Sequence, residues 1–82
     1  MTDVVVSQRA AEWLRDAEDE TSERIRNKLH DIEDFPEHYL ERLSGRPYYR
    51  LRVGDYRVII DWRKEEDELF VRRIGHRKGV YD

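Results

Sequence analysis

Eighty-two residues make one domain, 1–82, near the lower end for a self-sufficient core, and 38% hydrophobic against 43% charged residues means that apolar positions are used economically. With no cysteine there is no disulfide framework or thiolate metal site, and His30, His38 and His76 fall at no metal-ligand spacing, so no metal and no cofactor is expected. No apolar run approaches the roughly 18 to 20 residues of a membrane span and no signal peptide opens the chain, so the expected compartment is the cytoplasm, with no membrane partner.

The net charge of −3 conceals an asymmetry: residues 1–40 carry five Lys/Arg against eleven Asp/Glu, and residues 41–82 carry eleven against eight. Within Arg72–Lys78 there are four basic side chains and no acid. The two halves therefore point to different surroundings, and the whole-chain pI of about 5.6 does not by itself rule out nucleic acid.

The β-branched run Val4–Val6 ends in Ser7, a good helix N-cap. Ala10, Trp13, Leu14 and Ala17 then recur at helical spacing and predict a helix over roughly Gln8–Glu18. Thr21 or Ser22 starts a second helix, striped by Ile25, Leu29 and Ile32 and stopped at Phe35, because the residue before Pro36 avoids the α region. Tyr39, Leu40 and Leu43 offer one further turn of packing before Gly45.

From Tyr48 the period changes to two. Gly54-Asp55 reads as a two-residue hairpin turn that sets Val53 opposite Tyr56, Arg52 opposite Arg57 and Leu51 opposite Val58. A second hairpin through Lys64–Asp67 sets Arg63 opposite Glu68, Arg57 opposite Ile74 and Ile59 opposite Arg72. One sheet face then carries Tyr49, Leu51, Val53, Tyr56, Val58, Ile60, Trp62, Leu69 and Val71 and must meet the helices, with Arg73 spoiling the pattern near an edge. The other carries Tyr48, Arg50, Arg52, Arg57 and Arg72 among Ile59, Phe70 and Ile74, left uncovered by either helix.

Arginines directly opposite one another destabilise a sheet by a few tenths of a kcal/mol or more. Either Asp61 or another acidic side chain neutralises the cluster, or the cluster holds phosphate, which planar guanidinium forks suit. Tyr48 and Phe70 add stacking surface for a base. The exit "GHRKGVY" lies beside Arg57, with Gly75 and Gly79 permitting close approach and His76 able to titrate near neutrality.

"LSGRPYYRLRVGDYRVII" and "RRIGHRKGVYD" resemble the RelE/ParE superfamily of type II toxin–antitoxin toxins. That family's α+β fold, β-α-α-β-β-β with two antiparallel helices on one face of a small, mainly antiparallel sheet, agrees with the order read above. The resemblance implies a ribosome-dependent endonuclease that cuts mRNA in the ribosomal A site without metal, by attack of the RNA's own 2′-OH. It also implies a cognate antitoxin that neutralises the toxin in a hetero-oligomer. By that resemblance Arg57 stabilises the transition-state phosphate, Arg77 is a second phosphate ligand, Arg50 and Arg52 hold the RNA backbone or assist proton transfer, and Tyr81 orients the nucleotide. Arg72, Lys78 and Tyr48 are further expected RNA contacts, and His76 or Tyr81 is a candidate proton carrier, since arginine holds its proton too firmly at neutral pH. Two other readings stay open: a ParE-like inhibitor of DNA gyrase, and a catalytically degenerate binding member. The sequence ends at Asp82 with no C-terminal helix, so either a short tail is normal for this branch or the site is more open. The acidic first half implies that RNA binding uses the arginine face alone.

Overall fold

The computed structural model describes residues 2–80. In chain order the elements are β1 (Asp3–Val6), α1 (Gln8–Asp16), α2 (Asp19–Asp31), a single helical turn α3 (Pro36–Tyr39), β2 (Leu40–Arg42), β3 (Tyr49–Val53), β4 (Tyr56–Arg63) and β5 (Glu68–His76). They form one five-stranded sheet in the order β1-β5-β4-β3-β2, with β1 parallel to β5 and the other neighbours antiparallel. The expected α+β architecture is present, with one strand more than the sequence reading gave.

Local chemistry explains the helix bounds. Ser7 accepts the Ala10 N–H at 3.1 Å and caps α1, a contact of the kind that typically contributes about 1 kcal/mol. Its hydroxyl also donates to the Arg72 carbonyl at 2.9 Å, tying the helix start to β5. Ala17 is extended, so α1 stops two residues short of the expected Glu18. α2 begins at Asp19, before the expected Thr21 or Ser22, and Asp19 and Glu20 place acidic side chains on the positive end of the helix dipole. Ser22 is instead buried inside α2, where its hydroxyl donates to the Leu14 carbonyl of α1.

The helices cover one face of the sheet. Ala10 and Leu14 of α1 and Ile25 and Leu29 of α2, with Ile32 just beyond it, close over Leu40, Leu51, Val53, Val58, Ile60, Leu69, Val71 and Ile74. Edge-to-face pairs of Trp13 with Tyr56 (5.6 Å between centroids) and Tyr49 with Trp62 (5.3 Å) flank this core.

Three expectations need correction. The turn expected of Tyr39, Leu40 and Leu43 is divided: α3 ends at Tyr39 and Leu40–Arg42 form edge strand β2, pairing Leu40 with Leu51, Glu41 with Arg50 and Arg42 with Tyr49. The β4–β5 register is as expected from Arg63↔Glu68 to Ile60↔Val71, but then slips by one residue at a β-bulge. Arg57 therefore faces Gly75, not Ile74, and Ile59 faces Arg73, not Arg72. A one-residue slip exchanges faces. Ile74 joins the core opposite Val58, and Arg73 moves to the arginine face.

Candidate functional site

The uncovered face is organised by the Gly54-Asp55 hairpin. Gly54 has φ +59°, a backbone conformation that other residues resist, and the turn sets Arg52 and Arg57 as Cα partners, as the sequence pattern predicted. Arg50 lies two residues along β3, opposite Ile59, and Arg73 lies beyond Ile59 on β5. Arg72 rests on the Tyr48 ring at 4.2 Å, bringing both to this side.

The repulsion between these arginines is relieved at Arg50 and Arg52 by an incoming acidic side chain, the alternative to Asp61 that the sequence left open, from a residue it did not name. Glu41 on β2 accepts from Arg50 Nη2 at 2.8 Å and lies 3.2 Å from Arg52 Nε. Asp61, the acid expected in this role, pairs with Arg63 at 3.2 Å, as does Glu68 at 3.0 Å. The Arg50 hydrogen bond, helped by the charges of Arg50, Arg52 and Arg57 against an opposing desolvation, holds the Glu41 carboxyl below its ordinary value. The hydrogen bond that Arg63 donates to Asp61, then the one it donates to Glu68, holds its guanidinium above the ordinary arginine value, also against desolvation. The signal for Glu41 was its alternation with buried Leu40, legible only once Leu40–Arg42 is taken as a strand.

Arg57 is oriented by its own turn. Its Nη1 donates to the carbonyls of Gly54 at 2.8 Å and Tyr56 at 2.7 Å. Those bonds use both Nη1 protons and leave the edge formed by Nε and Nη2, which no hydrogen bond engages among the described residues. That edge is a fork of the kind that binds paired phosphate oxygens.

The segment after β5 is drawn to the same end of the sheet. The Arg77 N–H donates to the Asp55 carbonyl at 2.9 Å, pinning the turn over residues 77–80 to the hairpin turn. Gly75, opposite Arg57, leaves room for Val80: a Cβ there would stand 3.3 Å from the Val80 side chain. Val80 and Ile59 are buried outside the main core. Arg77 and Lys78 are exposed on the turn.

His76 is not brought to the cluster. The bulge turns it to the helix side, where its ring meets the edge of Tyr56 at 6.0 Å and its Nδ1 accepts the Lys78 N–H at 3.3 Å. Tyr81 lies outside the described residues. Among the described residues no three His, Cys, Asp or Glu side chains gather as a metal site, and no helix is long and apolar enough to cross a membrane.

A family model described as the ParE toxin of type II toxin–antitoxin systems, parDE, matches residues 4–81. A curated relative, toxin RelE3 of Methanocaldococcus jannaschii, is 49% identical over 35 residues, 43% of this chain and only 38% of that protein's length. The intact RelBE toxin–antitoxin complex of E. coli contains a chain that superposes with TM-score 0.77 and 25% identity, over 93% of this chain and 96% of that one. The archaeal RelE–RelB complex of Pyrococcus horikoshii gives TM-score 0.79 at 21% identity, over 95% and 97% of the two chains, a likeness of fold.

Proposed function

As the chain belongs to the ParE toxin family of type II toxin–antitoxin systems, within the RelE/ParE superfamily, we propose that it is a RelE-like toxin that cleaves mRNA in the ribosomal A site and is silenced by a cognate antitoxin. The observation that carries this reading is the uncovered sheet face on which Arg50, Arg52 and Arg57 stand together, with Arg57 held by its own turn and one guanidinium edge left open.

The reaction is attack of the 2′-oxygen on the adjacent phosphorus. The P–O5′ bond breaks, leaving a 2′,3′-cyclic phosphate and a 5′-OH. The RNA brings its own nucleophile, so the protein must supply charge stabilisation on the phosphorane, a proton acceptor and a proton donor. Arg57 offers its Nε/Nη2 edge to the phosphate oxygens, and Arg77 supplies a second cation from the pinned turn. In this reading the 2′-OH proton passes to Glu41, the carboxylate beside Arg50 and Arg52; the Arg50 hydrogen bond that keeps it ionised also lowers its proton affinity, so it acts as a weak base. His76 is poorly disposed as the donor, because its imidazole points to the helix side, against Tyr56. The donor's part is left to Tyr81, the other candidate proton carrier in the sequence, a role additional to the nucleotide-orienting one that the resemblance implies. Positioning by the ribosome supplies the remaining reduction of the barrier.

The cationic face also fits an antitoxin segment rich in Asp and Glu, and RelB–RelE complexes among the structural relatives support such a partner. A cytoplasmic site of action follows from the same reading.

The test is a translation extract in which mRNA ends are mapped. New ends at A-site codons, lost with Arg57→Ala or Arg77→Ala, support the proposal. The match to the ParE family model favours a second reading, inhibition of DNA gyrase. Intact message with stalled gyrase establishes that reading, and inactivity in both assays leaves a binding member without catalysis.

A further inference from the structure

We propose that the RNA strand is held beyond the arginine face by a second phosphate subsite at the hairpin rim, between Arg24 of α2 and Arg52 of β3. This rests on the reading of the sheet face as RNA-binding, and it draws the acidic half of the chain into the interface.

The observation is the seating of Arg24. Its Nη2 lies 2.8 Å, and its Cζ and Nη1 3.1 Å, from the point where a Cβ of residue 54 would stand. The guanidinium thus occupies space that only a glycine leaves open. The Gly54 carbonyl meanwhile accepts from Arg57 Nη1, so one turn residue seats a guanidinium from α2 and another from the sheet. Glu20 stands one helical turn away on α2, yet Arg24 makes no ion pair among the described residues.

Arg24 and Arg52 border one cleft of about 240 Å³, together with Asn27, Lys28 and Asp31 of α2 and Gly54. Arg24, Lys28 and Arg52 thus border it with one acid, Asp31; Arg52 is also paired with Glu41 at 3.2 Å and Lys28 lies over the Tyr39 ring at 4.7 Å. The pairing of β2 with β3 stops at Leu51, so no β2 backbone pairs with β3 at Arg52, where Glu41 reaches across only by its side chain. A polyanion leaving the sheet face can cross that edge and meet Arg24 directly. Phosphates repeated along a flexible strand suit this arrangement, in which two guanidinium sites lie on either side of a strand edge.

The experiment uses the full-length chain and a labelled single-stranded oligonucleotide with 2′-deoxy substitution, so that binding is read without cleavage. Dissociation constants are measured across a salt series for wild type, Arg24→Gln, Arg52→Gln and Arg26→Gln. Arg26 lies on the same helix but borders a different cleft, with Val4 and Leu29, and so controls for loss of net charge. The expected result is a severalfold weaker Kd for Arg24→Gln and a salt slope shallower by about 0.7, the value for one contact with a single strand. Arg52→Gln gives a similar or larger loss, and Arg26→Gln stays close to wild type. Equal effects of Arg24→Gln and Arg26→Gln, with Arg52→Gln still impaired, overturn the rim subsite and leave the sheet-face reading standing. No loss from Arg52→Gln or Arg24→Gln overturns both. If polyglutamate binds through Arg24 while the oligonucleotide does not, the rim is a protein contact and the proposal fails.

Discussion

The two faces of the sheet are built from the same strands and obey different physics. On the helix-covered face Leu51, Val58, Ile60, Leu69 and Val71 are at most 1% exposed, and what matters there is volume. On the other face Arg50, Arg52 and Arg57 alternate with them, and what matters is where charge is relieved and where it is left available. In a small chain, one buried face can support the fold while the other is released for binding. A substitution should then damage either stability or function according to the face on which it falls.

The largest expected effect on folding is on the covered face. Ile60→Ala, at a fully buried position, should destabilise the protein by about 2–5 kcal/mol, measured by denaturant unfolding. Arg57→Ala, adjacent to that core but pointing the other way, should cost about 1 kcal/mol or less in stability. It should nevertheless reduce mRNA cleavage by roughly 10²-fold or more, the scale on which loss of one oriented donor to a developing oxyanion is felt. Comparable loss of stability in both variants would erase the distinction between the faces.

The rim where the faces meet offers a narrower test. Gly54 and Gly45 both have positive φ, +59° and +73°, but only at Gly54 would a Cβ meet another group, the Arg24 guanidinium. Alanine at either site should cost about 1–2 kcal/mol for the left-handed backbone. Gly54→Ala should in addition displace Arg24 and change oligonucleotide binding, whereas Gly45→Ala should leave binding as it was. Unfolding and binding measured on the pair separate backbone strain from the loss of the notch.

How far the sequence disclosed this division is clear from particular residues. The β3–β4 hairpin was legible because Gly54 fixes the turn and a two-residue loop leaves one register, so the pairing of Arg52 with Arg57 followed directly. β2 was not legible. Leu40-Glu41-Arg42 has little intrinsic strand preference, and its conformation comes from pairing with β3, a tertiary effect outside any local window. Glu41 was lost with it. The bulge had a visible trace in Arg73, which an unbroken register forced onto the apolar face. One extra residue near Arg72 restores the pattern, sending Ile74 inward and Arg73 outward. The same slip carries His76 to Tyr56 and away from the arginines, which no count of spacing alone could have supplied.

The smallest expected effect on stability concerns Glu41, the counter-charge to Arg50 and Arg52 on the open face. Its folded carboxyl is held below the ordinary value of 4.5, chiefly by the Arg50 hydrogen bond, so the ionised form is favoured in the native state. A depressed carboxyl contributes stability above its unfolded value and loses it as pH falls through the folded one. Wild type should therefore melt slightly above Glu41→Gln at neutral pH, with the gap constant down to about 4.5 and closing at lower pH. Thermal melts across that acid range check it, and a gap that stays constant through the range would mean that the pair's charge contributes nothing. The same variant keeps the side-chain shape but cannot accept a proton as a carboxylate does. If Glu41 takes the 2′-OH proton, Glu41→Gln should abolish cleavage while oligonucleotide binding stays or tightens, because a competing anion has been removed from Arg50 and Arg52. Retained cleavage would leave Glu41 as a counter-ion for those arginines and nothing more.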